Sequence, residues 1–577
     1  MRPSGVLLLA VFALWLAAVF AVGTGGEFPL SDDWAYAHVV RSICEGRGFD
    51  FLPWTGASLV FQAAYGALFA KLSGFSYELL RLTTLAVSAI GIFSTYALLR
   101  EAGPAADSGT DEHGMRIAAA GAATVAFSPL WFNLSFTFMT DVPFAALATM
   151  SAWLYARAFR SGSRPGLLAA GAVCAAAFLV RQHGVWIAAA AALAAVATAP
   201  RTARLRDRAQ DAAAAAIVPF VAAAAYVIWA VTSPVVPLAV HNKIGEAAGV
   251  SWLTVANASF RGLATLGFFL LPWAPVIGLA GVRQRRLFSL SFAALGAAAA
   301  YLYAREGATM FYLSNMLGDF WIGPWTTRDI QFLGHRPDGD AGVLFHVALT
   351  AASLASAALL VSRLAAAPFG RADAKHDASD RAVDAGGRRR VAVFCVAAFA
   401  LSALGTLTQS HYFFDRYLIV LVPLAMAAVV ALAGPLRAGG AFAALLAAVA
   451  LYSVAGTHDY MERNRARWDL LGALEARGVT ARSIDGGVEY NGERLADELR
   501  TSPTDVEARR GQPQSRKSWW WVIDDRWILA YGPLDGYREA DSRRFTRWLP
   551  PGEDRVLVLE RNDSVDAASG AEPAREH

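Results

Sequence analysis

The sequence predicts an all-α polytopic membrane protein with about thirteen transmembrane helices and a small extracytoplasmic α/β domain at its C-terminal end. Three observations predict it. Of 577 residues, 56% are hydrophobic and 17% charged, where an ordinary soluble domain carries about 25% charged residues; the mean hydropathy is +0.38. The apolar residues fall in long runs, and about 20 such residues cross roughly 30 Å of hydrocarbon. The runs recur from the first residues to about Ala455 and then stop.

In order, the spans lie near 5–23, 82–100, 117–132, 142–159, 166–180, 184–200, 211–232, 262–281, 287–303, 342–362, 391–409, 417–434 and 439–456. The fifth and sixth are close enough to form one broken hairpin. The stretch Met1–Gly26 has the look of a signal peptide, but the many spans behind it favour an uncleaved first helix.

Arginine placement tests this list independently of hydropathy. With Arg2 and the N-terminus in the cytoplasm, the cytoplasmic connections hold Arg157, Arg160 and Arg164; Arg201, Arg204, Arg206 and Arg208; Arg283, Arg285 and Arg286; and Arg388, Arg389 and Arg390. The external connections, 24–81, 132–141, 233–261 and 304–340, are poorer in basic residues for their length. One span more or fewer would put alternate clusters on the wrong side, so the number is odd. The expected location is the inner (plasma) membrane, multi-pass.

The chain divides into a membrane domain over 1–457, an extracytoplasmic C-terminal domain over 458–560 and a disordered tail over 561–577. Residues 365–390 read as a polar cytoplasmic linker. The C-terminal domain has a charged helical segment near Glu462–Arg477 and apolar strand-like runs at Trp519–Ile523 and Val556–Leu559. Its tryptophans (Trp519, Trp520, Trp521, Trp527, Trp548) read as its core, since a small domain has little else to bury; a carbohydrate-binding surface is the other reading. Cys44, Cys174 and Cys395 are too few and too dispersed for a disulfide framework or a metal knuckle. A net charge of +4 is small, and no nucleic-acid partner is expected.

Charges at a membrane boundary are costly unless wetted or used, and the external face collects a specific set. The first external loop contains Asp32 and Asp33, followed by Trp34, Tyr36 and His38 on a short segment suited to lie flat at the interface. The second is very short, and its one charge, Asp141, stands where the next helix begins. With Pro143 behind it, Asp141 also fits a plain helix start, and Asp32-Asp33 also fit two solvated acids. Arg181-Gln182-His183 separates two apolar runs, and Asp415-Arg416-Tyr417 opens the twelfth. The loop 304–340, with Arg305, Glu306, Asp319, Arg328, Asp329 and His335, is long enough to cover a site. External acids beside arginines suit general-base chemistry on a phosphate-linked donor.

These residues resemble a known group. A first helix followed by Asp32-Asp33-Trp34-Ala35-Tyr36 is similar to the start of lipid-linked-sugar-dependent glycosyltransferases of the GT-C superfamily. The branch it most resembles is the bacterial relatives of protein O-mannosyltransferases and of the lipid A aminoarabinose transferase (family 39-like). The loop Phe136–Phe144, Asp415-Arg416-Tyr417-Leu418 with Pro423, and Ile484–Gly492 resemble further motifs of that branch. One departure is Leu52–Gln62, where many members have a basic residue and a Pro pair and this chain has neither.

The resemblance implies transfer of a sugar from a polyprenyl-phosphate donor to a protein, lipid or glycan acceptor at the outer membrane face, usually with inversion. It implies a base at Asp33 or Asp32, with Asp33 favoured because it borders the aromatic helix, and Asp141 supporting the base or orienting the acceptor. Arg416 and then Arg181 are the candidates for the leaving phosphate, with Tyr36, His38, Gln182 and Tyr417 as further site residues. No compelling metal constellation stands out and no cofactor is firmly predicted; the resemblance leaves room for a divalent cation, which some members of the superfamily use. The rival is a polytopic transporter or flippase of a cell-envelope precursor. Transporters place ionisable residues near mid-span, whereas here the span interiors are almost free of them.

Overall fold

The structure is a computed structural model. It describes residues 3–104, 111–198, 205–233, 251–279, 281–307, 315–333, 341–366, 380–408, 413–432, 436–501 and 525–562. The expected run at 519–523, residues 367–379 of the linker, His335 and the tail beyond 562 lie outside the described residues.

The chain opens with α1 (Pro3–Val22), then the short α2 (Asp33–Cys44) and α3 (Val60–Ser73), then the long α4 (Tyr77–Ala102). There follow α5 (Asp111–Ala126), α6 (Pro129–Leu134), α7 (Asp141–Ser161), α8 (Arg164–Val180), α9 (Val185–Ala197) and α10 (Leu205–Thr232). The second half holds α11 (Trp252–Phe269), α12 (Ala274–Ile277), α13 (Gly281–Glu306), α14 (Arg328–Leu333), α15 (Val343–Ala366), α16 (Asp380–Leu407), α17 (Leu421–Leu432) and α18 (Gly440–Ala476), and α19 (Val488–Thr501) lies in the C-terminal region. Local chemistry sets several starts. Ser76 caps α4 by accepting Leu79 N–H, and Ser163 caps α8 by accepting Gly166 N–H, with Pro165 in the first turn.

The expected spans fall on these helices, with 117–132 shared by α5 and α6 and 262–281 broken after α11. Seven described segments are long and apolar enough to cross a bilayer by themselves, and an eighth is α11 continued into Leu271–Ile277 across a 66° bend. Pro272 and Pro275 explain the bend, since neither offers an N–H to continue the ladder. The protein is a multi-pass membrane protein. Large side chains such as Phe20, Leu72, Ile228, Leu344 and Leu451 stand exposed, as a lipid-facing surface requires.

Three details differ from the sequence reading. The span expected over 117–132 ends at Ala126, and Pro129 starts a separate, wholly buried α6. Residues 252–261, expected within an external loop, are the first turns of α11. The span 439–456 and the charged segment 462–477 are one helix, α18, of 37 residues and about 55 Å.

On the far part of α18 sits a four-stranded sheet in the order β1 (Ile484–Asp485), β2 (Trp527–Ala530), β4 (Pro551–Arg561), β3 (Tyr537–Trp548). Leu529, Val556 and Val558 pack with Leu470, Leu471 and Leu474 of α18, while Ile528, Ala530, Leu557 and Leu559 form a cluster of their own. Two covered faces explain the unbroken apolar run Val556–Leu559. Of the tryptophans expected as core, Trp519, Trp520 and Trp521 lie outside the described residues, and Trp527 packs, partly buried, against the core. Trp548 is 40% exposed and stacks on the His458 ring with centroids 3.7 Å apart, while Asp459 accepts the Trp548 and Leu549 amides. Leu, Ile and Val side chains fill the interior together with Tyr490, Tyr531 and Phe545.

The basic clusters gather away from the acids. Asp141 starts α7 and Arg160 stands in its last turn, about 30 Å along a helix of that length. Near Arg160, Arg164 and Arg390 both pair with Asp211, at 2.7 and 3.9 Å.

Candidate active site

Ser31 turns the chain. Its φ of 55° is left-handed, at a cost of about 1–2 kcal/mol for a residue with a Cβ. The next two carboxylates then part company. Asp33 opens α2 and is 2% exposed. Its Oδ1 accepts Phe138 N–H at 2.9 Å and its Oδ2 accepts Leu30 N–H at 3.3 Å, so it staples the first loop to the one before α7. Burial pushes its pKa up to about 8, against the lowering effect of those amides and of Arg81.

Asp32 faces the other way. Its Oδ1 accepts the Trp54 indole N–H at 2.9 Å, and its Oδ2 lies 3.4 and 3.5 Å from Nη2 and Nη1 of Arg416. Arg416 belongs to a 3-10 turn, Asp415–Leu418, ahead of α17. Asp415 anchors that turn: its Oδ2 accepts the amides of Asn315, Met316 and Leu317, and its Oδ1 accepts Arg416 N–H. The pairing of Asp415 with Arg416 suggested by their adjacency is therefore through the backbone alone.

Arg181 sits in extended backbone between α8 and the 3-10 turn Gln182–Gly184. Its Nε donates to Thr140 Oγ1 at 2.7 Å, its Nη2 lies 2.9 Å from Asp141 Oδ1, and its guanidinium covers the Tyr417 ring at 4.9 Å. Arg416 stands beside the same ring, at 5.8 Å. Two guanidiniums thus flank one tyrosine, each opposed by one acid.

These groups enclose a polar cavity of about 150 Å³ lined by Asp32, Tyr36, Trp54, Gly56, Ala57, Arg181, Gln182, His183, Arg416 and Tyr417. A narrow cleft beside it shares Arg181, His183 and Tyr417, and is closed by Phe144, Ser402, Thr406 and Val420. Burial raises the Tyr36 phenol well above its ordinary value, with Asp32 adding to the effect, so it enters the cavity as a protonated donor. Among the described residues Arg416 Nε has no hydrogen-bond acceptor although it is buried.

Of the residues picked out in the sequence, Asp32, Tyr36, Arg181, Gln182, Arg416 and Tyr417 meet in this cavity. Asp141 stands behind Arg181, and Asp33 is turned into the protein. His38 pairs with Asp50 at 3.2 Å, away from the cavity. In the loop 315–333, Arg328 pairs with Asp525 and Asp329 accepts Tyr531 N–H, which ties the loop to the sheet. Sequence reasoning gave no role to Trp54 or His183. Trp54 lies within the stretch that departs from the family pattern, and an indole donor aimed at an acid leaves no periodic trace. The donor set does not suit a divalent ion: Asp32 and Asp141 each face a guanidinium, and no cluster of three or more His, Cys, Asp or Glu occurs among the described residues.

Residues 61–229 match the model of the family described as dolichyl-phosphate-mannose-protein mannosyltransferase. Over this segment the chain resembles that family; the segment contains Asp141 and Arg181, and ends short of Arg416. The chain is similar over 98% of its length, and 99% of theirs, to two crystal structures of ArnT from Cupriavidus metallidurans. One is in the apo state (14% identity, TM-score 0.40) and one is bound to undecaprenyl phosphate (13%, 0.41). It is also similar to the cryo-EM structure of the arabinosyltransferase EmbB from Mycobacterium smegmatis, over 80% of this chain and 42% of that one (16%, 0.29). No curated protein matches the sequence.

Proposed function

We propose that this protein is a GT-C-type glycosyltransferase that transfers a sugar from a polyprenyl-phosphate donor to an acceptor hydroxyl at the outer face of the membrane, with Asp32 as the general base. The observation that carries the reading is the Asp32–Arg416 pair at the wall of a cavity that also presents Arg181. A buried guanidinium with a long contact to its acid and a free Nε has capacity for an anion. The family description names a prenyl-phosphate-linked sugar as donor, which fits that capacity.

In this mechanism the donor phosphate takes Arg416 as its partner and releases Asp32 Oδ2, while Trp54 keeps Oδ1 in place. The acceptor oxygen attacks the anomeric carbon, its proton passes to Asp32, and the bond to the phosphate oxygen breaks with its electron pair. Polyprenyl phosphate leaves, its charge met by Arg416 and Arg181, and attack opposite the leaving group inverts the centre. Asp141 holds Arg181 in position. The prenyl chain runs out through the cleft bordered by Phe144 and Val420. Asp33, buried and fastened to two amides, has no access to an acceptor and serves the loop's geometry.

The same reading puts the N-terminus in the cytoplasm and residues 458–560 outside, supported by the basic clusters lying at the far end of α7 from Asp141. Hexose or pentose, and protein, lipid or glycan acceptor, are decided by experiment. Purified protein supplied with radiolabelled polyprenyl-phosphate sugars and envelope fractions is expected to transfer label. Asp32→Asn is expected to lower turnover by about 100-fold or more, and full activity in a correctly inserted Asp32→Asn protein would overturn the assignment.

A further inference from the structure

We propose that Glu489, in the C-terminal region, is a positioning residue for the acid loop: its carboxylate holds the Ser31 backbone in the left-handed turn that aims Asp32 into the cavity. This rests on the reading of Asp32 as the base. The Ser31 amide donates to Glu489 Oε1 at 3.2 Å. A left-handed, non-glycine residue persists only where its surroundings over-determine it, and this hydrogen bond is the polar contact made by the Ser31 backbone one residue before Asp32.

Glu489 is itself immobilised. Its Oε2 accepts from Arg467 Nη2 at 2.9 Å and from Thr326 Oγ1 at 2.5 Å, and Arg467 Nη1 donates to Thr326 Oγ1 at 2.8 Å. Both charged side chains are almost wholly buried, at 1% and 2% exposure, so the carboxylate has no water to turn towards. One turn further along α19, Glu493 pairs with Arg41 of α2 at 2.6 Å and accepts from Tyr77. Between them Gly492 lies flat on Trp34, where a Cβ would come within 2.4 Å of the indole. Positions 489, 492 and 493 form one helical face, and that face is pressed along α2, from Ser31 and Trp34 at its start to Arg41 in its last turn. The motif Ile484–Gly492 thereby gains a reason: it is the clamp through which the extramembrane region reaches the base.

A buried ion pair alone would serve stability without touching turnover, so the test separates the two. Removing one partner leaves the other charge buried and unpaired, so both are replaced: Glu489→Leu with Arg467→Met, and Glu489→Gln with Arg467→Met, which keeps an acceptor oxygen for Ser31. The leucine pair is expected to lose kcat at least tenfold with donor KM within twofold, and to exchange amide hydrogens faster over residues 28–36. The glutamine pair is expected to stay within threefold of wild-type kcat with unchanged exchange. A folded leucine pair with wild-type kcat and exchange would overturn the proposal. If the leucine pair does not fold, the glutamine pair decides alone: loss of its kcat or of its protection at 28–36 overturns the clamp. Asp32→Asn is run in parallel; its retaining activity would sink the base assignment and leave the exchange data to judge the clamp.

Discussion

Asp32 and Arg416, 384 positions apart in sequence, meet at 3.4 Å on the wall of one cavity. The contact joins the loop after α1 to the turn ahead of α17. It matches an acid able to take a proton with a cation able to meet a phosphate.

Arg416→Ala is expected to raise the KM for a polyprenyl-phosphate donor by about 10- to 100-fold, the range for losing hydrogen bonds to a charged group. Arg416→Lys should recover only part of this, because an ammonium lacks the planar fork. Direct titration with polyprenyl phosphate checks it, and unaltered affinity in Arg416→Ala removes the residue from donor binding.

Asp33 makes a prediction about pH. Its folded pKa is raised to about 8 from an ordinary 3.8. Between those values the folded state holds a proton that the unfolded state has released, so stability falls as pH rises across the window, by up to about 1.4 kcal/mol per unit. Asp33→Asn removes this titration while keeping an oxygen for Phe138 N–H. Melting curves in detergent at pH 5 and pH 8 should therefore converge in Asp33→Asn relative to wild type. An unchanged pH dependence would show that Asp33 is ionised throughout.

Asp415 is expected to matter for structure. Asp415→Ala leaves the amides of Asn315, Met316 and Leu317 without their acceptor, and each unpaired buried donor costs about 1–3 kcal/mol. A large drop in melting temperature should follow, with Asp415→Asn milder because one side-chain oxygen remains. Equal melting of both variants and wild type would mean that other acceptors replace the carboxylate.

The helices were legible because hydropathy and arginine placement follow from crossing a bilayer, where each span is selected residue by residue against the same solvent. Breaks were less so. Pro129 and Pro272 are visible in the sequence, but whether a proline starts a new helix, as before α6, or bends one, as after α11, depends on neighbours that donate to the freed carbonyls. Trp548, among the tryptophans of the C-terminal region, misled for a related reason. Residue size predicts burial on average, and Trp548 instead lies on His458 at the surface.

By itself the sequence determined that this is a membrane protein of many helices, that Asp32, Asp33 and Asp141 stand in loops between apolar runs, and that Arg181 and Arg416 stand at span ends. Only the tertiary structure decided which acid faces the cavity. The two carboxylates are chemically alike and adjacent; a single left-handed residue, Ser31, sends Asp32 towards Trp54 and Arg416 and Asp33 towards the buried amide of Phe138. That turn is held from Glu489, a residue 458 positions away, and no local pattern encodes a contact of that range.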